Sequence, residues 1–466
     1  MIERISVIGL GKLGASMAAA FAHRGFSVIG VDVNQQTVDA VNQGRAPVQE
    51  TDLDKVISEN KKRITATLSH RDAVLNSDIS FVIVPTPSDE RGAFSLQYAE
   101  WAFKKIGRAI GEKKGYHNIV LTSTVLPGST RQALLPILEA ESGKKAGKDF
   151  GLCYSPEFIA LGSIINDFLN PDFTLIGEFD ERSGKQLEDL YSIVMTNGAP
   201  AARMSLENAE LTKISVNTFV TTKITFANML AEICEKLPGG NVDVVTGALG
   251  MDTRIGSKYL TGSIGYGGPC FPRDNVALSF IAKQLGVKAN LAETTDAANR
   301  AIAAKVAGKL LPMVRKGGTV AVLGLSYKPF SHVTEESQGV YIAQHLSKHG
   351  LRVVAFDPMS NEMALEEIRR HIVVLESIEE CLGQAEAVLI TTPDPAFKKL
   401  SAADFKNGWA QVLVVDFWRI LRQQLENQSG IKYLGIGIGE DDMASTARLR
   451  ELWWGPPEDA LRTSKR

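Results

Sequence analysis

Cysteine is scarce in this chain. There are four in 466 residues, and they are widely scattered as Cys153, Cys234, Cys270 and Cys381. Without a C-x-x-C pair they suggest neither a disulfide framework nor a zinc site, so no metal is expected. Charge of either sign is nowhere in excess: 51 basic and 53 acidic side chains give a formal net charge of −2. A general nucleic-acid or membrane-surface role would need a basic face and is set aside. Long apolar runs are missing too, and none approaches the roughly 18 residues that span a bilayer. The opening "MIERISVIGLG" enters a strand at once, with no sign of a leader, and the expected compartment is a reducing cytoplasm.

What remains is an ordinary globular composition, 44% hydrophobic and 22% charged, in a chain long enough for two or three domains. The first stretch alternates strand and helix. "RISVIGLG" reads as a buried strand, "KLGASMAAAFAHRG" as a small-residue helix, and "FSVIGVDV" as a second strand. "SDISFVIVPTPS", "NIVLTSTVLPG", "FGLCYSPEFI" and "FTLIGEF" follow as further apolar runs. Strands separated by helices predict a parallel, doubly wound sheet over about residues 1–200. From 201 to about 315 the pattern is helical. "SLENAELTKISVNTFVTTKITFANMLAEICEKLPGG" has helical spacing, Ser205 as N-cap and a Pro-Gly-Gly stop. About 30 residues at ~1.5 Å each span ~45 Å, which suits a connecting helix or a dimer core better than a surface helix. Between 316 and 440 the strand pattern returns in "GTVAVLGLSYKP", "LRVVAFDP", "AEAVLITTPD", "QVLVVDFW" and "IKYLGIG". The fold class is therefore α/β: two doubly wound Rossmann-like domains joined by a central helical domain, with a polar tail at 441–466.

Gly9-Leu10-Gly11-Lys12-Leu13-Gly14 is G-x-G-x-x-G, placed after a strand and opening a helix, and Asp32 closes the next strand 18 residues beyond Gly14. That context is what a dinucleotide fingerprint requires. The glycines let backbone amides approach a pyrophosphate, and the acid accepts from ribose hydroxyls. Asp32 would repel a 2′-phosphate, so NAD is expected rather than NADP. The equivalent turn of the last domain, "GLSYKP", lacks the glycines and offers Lys328 at a strand's carboxyl end. Lys213 and Asn217 lie four apart on one helical face. They can stabilise a developing alkoxide and hold a water, or the lysine can simply snorkel from the edge of an amphipathic helix. Glu157 and Thr124 stand at strand ends, where such sheets bind ligands. Cys270 lies in "GYGGPCFPRD", which reads either as a tight turn or as a nucleophile that a substrate must approach closely.

Taken in order, "GLGKLG", "STV", "SPEF", "AELTKISVN", "GMDTRIG", "GYGGPCFPRD" and "GLSYKP" resemble the UDP-glucose/GDP-mannose dehydrogenase family over nearly the whole chain. Its members oxidise the C6 alcohol of a nucleotide sugar to a carboxylate in two hydride transfers to NAD. The resemblance implies Cys270 as nucleophile, through a thiohemiacetal and a thioester, with Lys213, Asn217 and Asp274 around it. It also implies Glu157 as the base of thioester hydrolysis and Thr124 as a holder of the catalytic water. Cofactor contacts are implied at Gly9, Gly11, Lys12, Leu13, Gly14, Asp32, Thr86 and Thr124. Substrate contacts are implied at Glu157, Phe158, Lys213, Asn217, Tyr259, Gly267 and Lys328. Arg254 matches an arginine that reaches into a neighbouring subunit, which implies a homodimer through the long helix.

The chain departs from the family pattern at three places. Leu161 stands where many members carry a second glutamate, Arg273 replaces a lysine, and Glu335 replaces an arginine that meets the cofactor. UDP-glucose is the expected substrate, with UDP-N-acetylhexosamines or GDP-mannose as alternatives. Two other classes share parts of the pattern. A hydroxy-acid or phosphogluconate-type dehydrogenase needs neither Cys270 nor a second α/β domain. A non-catalytic nucleotide-sugar binder would have no use for Lys213, Asn217, Cys270 and Asp274 together.

Overall fold

The computed structural model describes residues 2–359, 368–370, 372–406, 408–440 and 443–454. These fall into two compact units. One takes the chain up to Val216 with Ala277–Lys288, and the other takes Asn217–Val276 with the chain from Ala289 onward.

The first unit is built on an eight-stranded sheet. Its strands are β1 (Arg4–Ile8), β2 (Ser27–Val31), β3 (Ile64–Thr67), β4 (Ile79–Val82), β5 (Asn118–Leu121), β6 (Gly151–Tyr154), β7 (Thr174–Glu178) and β8 (Ala201–Ser205). They run in the order β3-β2-β1-β4-β5-β6-β7-β8. β4, β5 and β6 are buried at every residue, as a sheet covered on both faces by helices requires. The doubly wound class is borne out, with three differences. β7 pairs antiparallel with β6, Cys153 opposite Glu178 and Tyr154 opposite Gly177. After β6 the chain therefore re-enters the sheet from the end at which it left. On the way the short helix Ile164–Leu169 buries Phe168 edge-on against Phe21 at 5.3 Å. β3 and β8 are the other additions. Both are short, largely half-buried edge strands without an apolar run, and β8 carries the sheet past residue 200.

The second unit repeats the design in β9 (Thr319–Leu323), β10 (Arg352–Phe356), β11 (Val373–Val374), β12 (Ala387–Ile390), β13 (Val412–Asp416) and β14 (Ile431–Gly435). The order β11-β10-β9-β12-β13-β14 is all parallel and matches the first six strands of the other sheet. The likeness extends to the turns. Gly9 N–H donates to Val31 O at 2.7 Å and Gly324 N–H to Phe356 O at 2.9 Å, both glycines at positive φ. Asp32 accepts the Leu10 N–H at 2.8 Å, and Asp357 accepts those of Leu325 and Ser326 at 2.7 and 2.6 Å.

Three helices carry or flank the expected site residues: α1 (Lys12–His23), α2 (Leu206–Cys234) and α3 (Phe271–Gln284). The division between the units falls within α2 and within α3. α2 begins as expected, with Ser205 Oγ accepting the Asn208 N–H at 3.4 Å. The stretch expected as a polar tail contains a helix, Met443–Trp454, on which Leu452 and Trp453 are exposed. Residues 455–466, including the Gly-Pro-Pro that follows Trp454, lie outside the described residues. Among the described residues no helix is long and apolar enough to cross a membrane.

α1 packs so closely on its turn that a Cβ at Gly14 would stand 1.9 Å from the Gly9 carbonyl oxygen, whereas one at Gly11 would meet nothing within 4 Å. Gly14→Ala is therefore expected to cost about 1–3 kcal/mol or more, as overpacking does. Gly11→Ala should cost no more than about 1 kcal/mol through its N-cap position. Thermal melts of the two variants test this, and equal melting points would refute the packing role of Gly14.

Candidate active site

In the first unit the turn from β1 into α1 forms a cradle. Gly11 caps α1 in extended conformation without a side chain over the helix end, so that end is open to a ligand. Its backbone N–H groups and the positive end of the helix dipole suit a pyrophosphate. Asp32, half-buried, accepts Leu10 N–H through Oδ2 and Asn34 N–H through Oδ1 at 2.9 Å, which fixes the carboxylate beside the cradle with lone pairs to spare for ribose hydroxyls. These residues fit a dinucleotide. Further along the same edge, Thr86 Oγ1 donates to the Thr124 carbonyl at 2.8 Å, tying the loops after β4 and β5 together.

Beyond β6 the chain carries Glu157 and Phe158, and α2 brings Lys213 to them. Lys213 Nζ donates to the Glu157 carbonyl oxygen at 2.7 Å and lies 4.4 Å from the centre of the Phe158 ring. Lys213 is 7% exposed, so the edge-of-helix reading of this lysine is overturned. Burial pushes the Glu157 carboxyl up to about 8, and the Lys213 charge offsets part of that rise. Leu161 is half-buried in the loop that follows.

In the second unit Asn217, one turn beyond Lys213 on α2, donates from Nδ2 to Asp274 Oδ2 at 2.6 Å. Asp274 is 1% exposed, and the neighbouring Arg273 reaches its other oxygen at 3.3 Å. Asp274 N–H closes the first turn of α3 on the Cys270 carbonyl at 2.9 Å, so Cys270 stands at the positive end of a 14-residue helix. Cys153, Cys234 and Cys381 are buried, whereas Cys270 is exposed. Its glycines are required by close approach. A Cβ at Gly267 would lie 2.4 Å from the Glu336 carbonyl oxygen, and one at Gly268 would lie 2.7 Å from the Tyr327 ring. Gly268 also takes a positive φ of 82°.

Tyr259, at positive φ and half exposed, sets its ring edge-on to Phe271 at 6.1 Å. Lys328 Nζ lies 5.8 Å from the centre of the Tyr327 ring. Arg254 is paired with Asp252 at 2.6 Å on an exposed surface. Glu335 is exposed, and its carbonyl accepts the Gly268 N–H at 3.0 Å. Sequence reasoning missed Tyr266, Asn275 and Thr221, which form a buried side-chain chain beneath the Cys270 loop. The one available signal was an aromatic residue set among the glycines of "GYGGP". Among the described residues no cluster of His, Cys, Asp or Glu could hold a metal.

Three models of the UDP-glucose/GDP-mannose dehydrogenase family match the chain: the NAD binding domain over residues 3–195, the central domain over 207–301 and the UDP binding domain over 321–423. The GDP-mannose 6-dehydrogenase of Azotobacter vinelandii is 34% identical over 89% of this chain and 97% of its own length. The UDP-glucose 6-dehydrogenase AglM of Haloferax volcanii is 31% identical over 91% and 99%. Among solved structures, a UDP-glucose dehydrogenase from Pyrobaculum islandicum superposes with a TM-score of 0.83 at 32% identity, covering 94% of this chain and 98% of that one.

The raised carboxyl of Glu157 has a consequence for stability. Between the ordinary glutamate value of 4.5 and about 8, the folded protein holds a proton that the unfolded chain has released. This contribution is complete below the lower value and is lost as pH rises through the upper one. The wild-type melting temperature should therefore fall more between pH 5 and pH 8 than that of Glu157→Gln. Parallel melting curves across that range would remove the raised carboxyl.

Proposed function

Because this chain belongs to the UDP-glucose/GDP-mannose dehydrogenase family, we propose that it oxidises UDP-glucose to UDP-glucuronate through a covalent intermediate on Cys270. It is an NAD-dependent nucleotide-sugar dehydrogenase, and bound NAD supplies the acceptor for each of two hydrides. The observation that carries the cysteine step is the placing of Cys270, an exposed thiol at the head of α3 while the other three cysteines are buried.

In the proposed chemistry, the C6 alcohol gives its proton to solvent, Lys213 stabilises the resulting alkoxide, and loss of the first hydride makes an aldehyde. The Cys270 sulfur adds to the aldehyde carbon, giving a thiohemiacetal whose oxygen needs the same kind of support from Lys213 and Asn217. The thiohemiacetal holds the sugar covalently between the two oxidations, and loss of its hydroxyl proton and of the second hydride turns it into a thioester. Water then attacks the thioester carbon, the C–S bond breaks, and carboxylate and thiol are released. Glu157 takes the proton of that water, a role suited to a carboxyl titrating near 8, and Thr124 helps to hold the water. Asp274, buried against Asn217, orients the amide that faces the reacting oxygen.

Gly9, Gly11, Lys12, Leu13 and Gly14 would hold the pyrophosphate, Asp32 the adenosine ribose, and Thr86 and Thr124 the nicotinamide half. Glu157, Phe158, Lys213, Asn217, Tyr259, Gly267 and Lys328 would meet the nucleotide sugar. The choice of UDP-glucose is supported by the likeness to the Pyrobaculum enzyme. The Azotobacter relative favours GDP-mannose as the second reading. We also place the chain in a homodimer through α2, whose Phe219, Phe226, Met229 and Ile233 are exposed at spacings of 7, 3 and 4 residues. Arg254 would then serve the neighbouring subunit. A reduced Cys270 suits a cytoplasmic location.

With UDP-glucose the enzyme should form two NADH per sugar and a uronic acid. One NADH per sugar, or turnover of GDP-mannose alone, would overturn the proposal or its substrate respectively. Cys270→Ser should reduce acid formation at least a thousandfold, and wild-type turnover in that variant would exclude the thioester route. The rate of acid formation should rise with pH and level off near 8, and Glu157→Gln should lose that rise.

A further inference from the structure

The loop bearing Cys270 is held by a side chain that belongs to neither the cofactor cradle nor the groups assigned to the reacting oxygen. Tyr266, 4% exposed, begins the loop four residues before the cysteine. Its backbone is clamped on both polar atoms. Its N–H donates to Asn299 Oδ1 at 2.9 Å, and its carbonyl accepts from Asn299 Nδ2 at 3.0 Å and Gln338 Nε2 at 3.3 Å. Its phenol oxygen accepts from Asn275 Nδ2 at 2.8 Å. Asn275, 1% exposed, lies five residues after the cysteine, in the first turns of α3. Its Oδ1 in turn accepts from Thr221 Oγ1 on α2 at 3.1 Å, and that hydroxyl is shared with the Thr218 carbonyl at 2.8 Å.

Asn275 therefore ties the two ends of the segment 266–275 to each other, with Cys270 between them, and ties both to α2. Thr221 lies one turn beyond Asn217, and Asn275 is the immediate neighbour of Asp274, so two buried pairs on adjacent turns lock α3 against α2. A planar amide that donates to the Tyr266 phenol at one end and accepts from Thr221 at the other has a single orientation that makes both bonds. Neither group takes part in the chemical steps assigned above, and the phenol oxygen of Tyr266 is not needed to fill space, since Phe would fill that site.

We propose that Asn275 and Tyr266 are positioning residues that hold the Cys270 sulfur at its point of attack. This inference rests on the reading of Cys270 as the nucleophile. Reactive geometry tolerates little displacement, and a loosened loop lowers the rate of bond formation without touching cofactor binding.

The test uses Tyr266→Phe, Asn275→Ala and the double variant in the full-length protein. Alkylation of Cys270 by iodoacetamide is followed by peptide mass spectrometry from pH 6 to 9, well below each variant's melting temperature, alongside kcat, KM and the Kd for NAD. Each single variant should change the Cys270 alkylation rate at least threefold and lower kcat at least fivefold, with the Kd for NAD unchanged. The double variant should match Asn275→Ala, because the one bond that Tyr266→Phe removes is already lost there. Lower melting temperatures with wild-type alkylation rates and pH dependence would reduce the pair to a structural role and overturn the proposal. Tyr266→Phe removes one oxygen and carries the test by itself if Asn275→Ala does not fold. Should Cys270→Ser keep full turnover, the nucleophile reading fails while the alkylation rates still report whether the pair positions the thiol.

Discussion

A carboxylate that is 1% exposed has to be met by donors, and the way Asp274 is met ties the start of α3 to α2. Asn217 comes from α2 and Arg273 from the adjacent position of α3, and together they occupy both carboxylate oxygens. Breaking such a pair on one side costs far more than its formation contributes, because the remaining charge is left buried. The pairing fixes where α3 begins. The start of α3 fixes Cys270, and Gly267 and Gly268 before it are then dictated by the backbone and aromatic ring lying 2.4 and 2.7 Å from a Cβ at either. The small side chains around the thiol are thus as much a packing requirement of the loop as room for a substrate.

The two sheets apply one plan to different ends. Both have a glycine at positive φ after the first strand and an aspartate at the end of the second. In the first, Asp32 receives one amide on each oxygen and stays half-buried beside an open helix end. In the second, Asp357 receives two amides on Oδ2 and that of Met359 on Oδ1 at 2.8 Å, and it is 8% exposed. The same acid is available for a ligand in one sheet and committed to its own turn in the other. This is the physical content of the missing glycine fingerprint at "GLSYKP".

Much of this was legible beforehand because it is local. The glycine turn, the acid at the end of β2, the five long strands of the second sheet and the extent of α2 come from periodicity and turn chemistry within a few residues. The misses have a common cause. β3 and β8 are edge strands, which do not need an apolar run, and the antiparallel β7 depends on where a roughly 20-residue connection turns back. Lys213 could be read as buried or as snorkelling, because spacing gives a face of a helix and not what covers it. Asn275 carried no signal, since its partners are 9 residues away in one case and 54 in the other.

By itself the sequence determined which segments become strand or helix, the order of the two α/β stretches, and a set of residue types suited to NAD and to thiol chemistry. These depend on backbone conformational preference, which acts over one or two turns. The tertiary structure alone decided which of those residues are buried and against what. Glu157 became a raised carboxyl because its neighbours take away part of its hydration, and Asp274 became a fixed acceptor because α2 passes beside it. Burial and pairing are properties of neighbours in space. The partners that α2 supplies to Glu157 and Asp274 lie 56 and 57 residues from them along the chain.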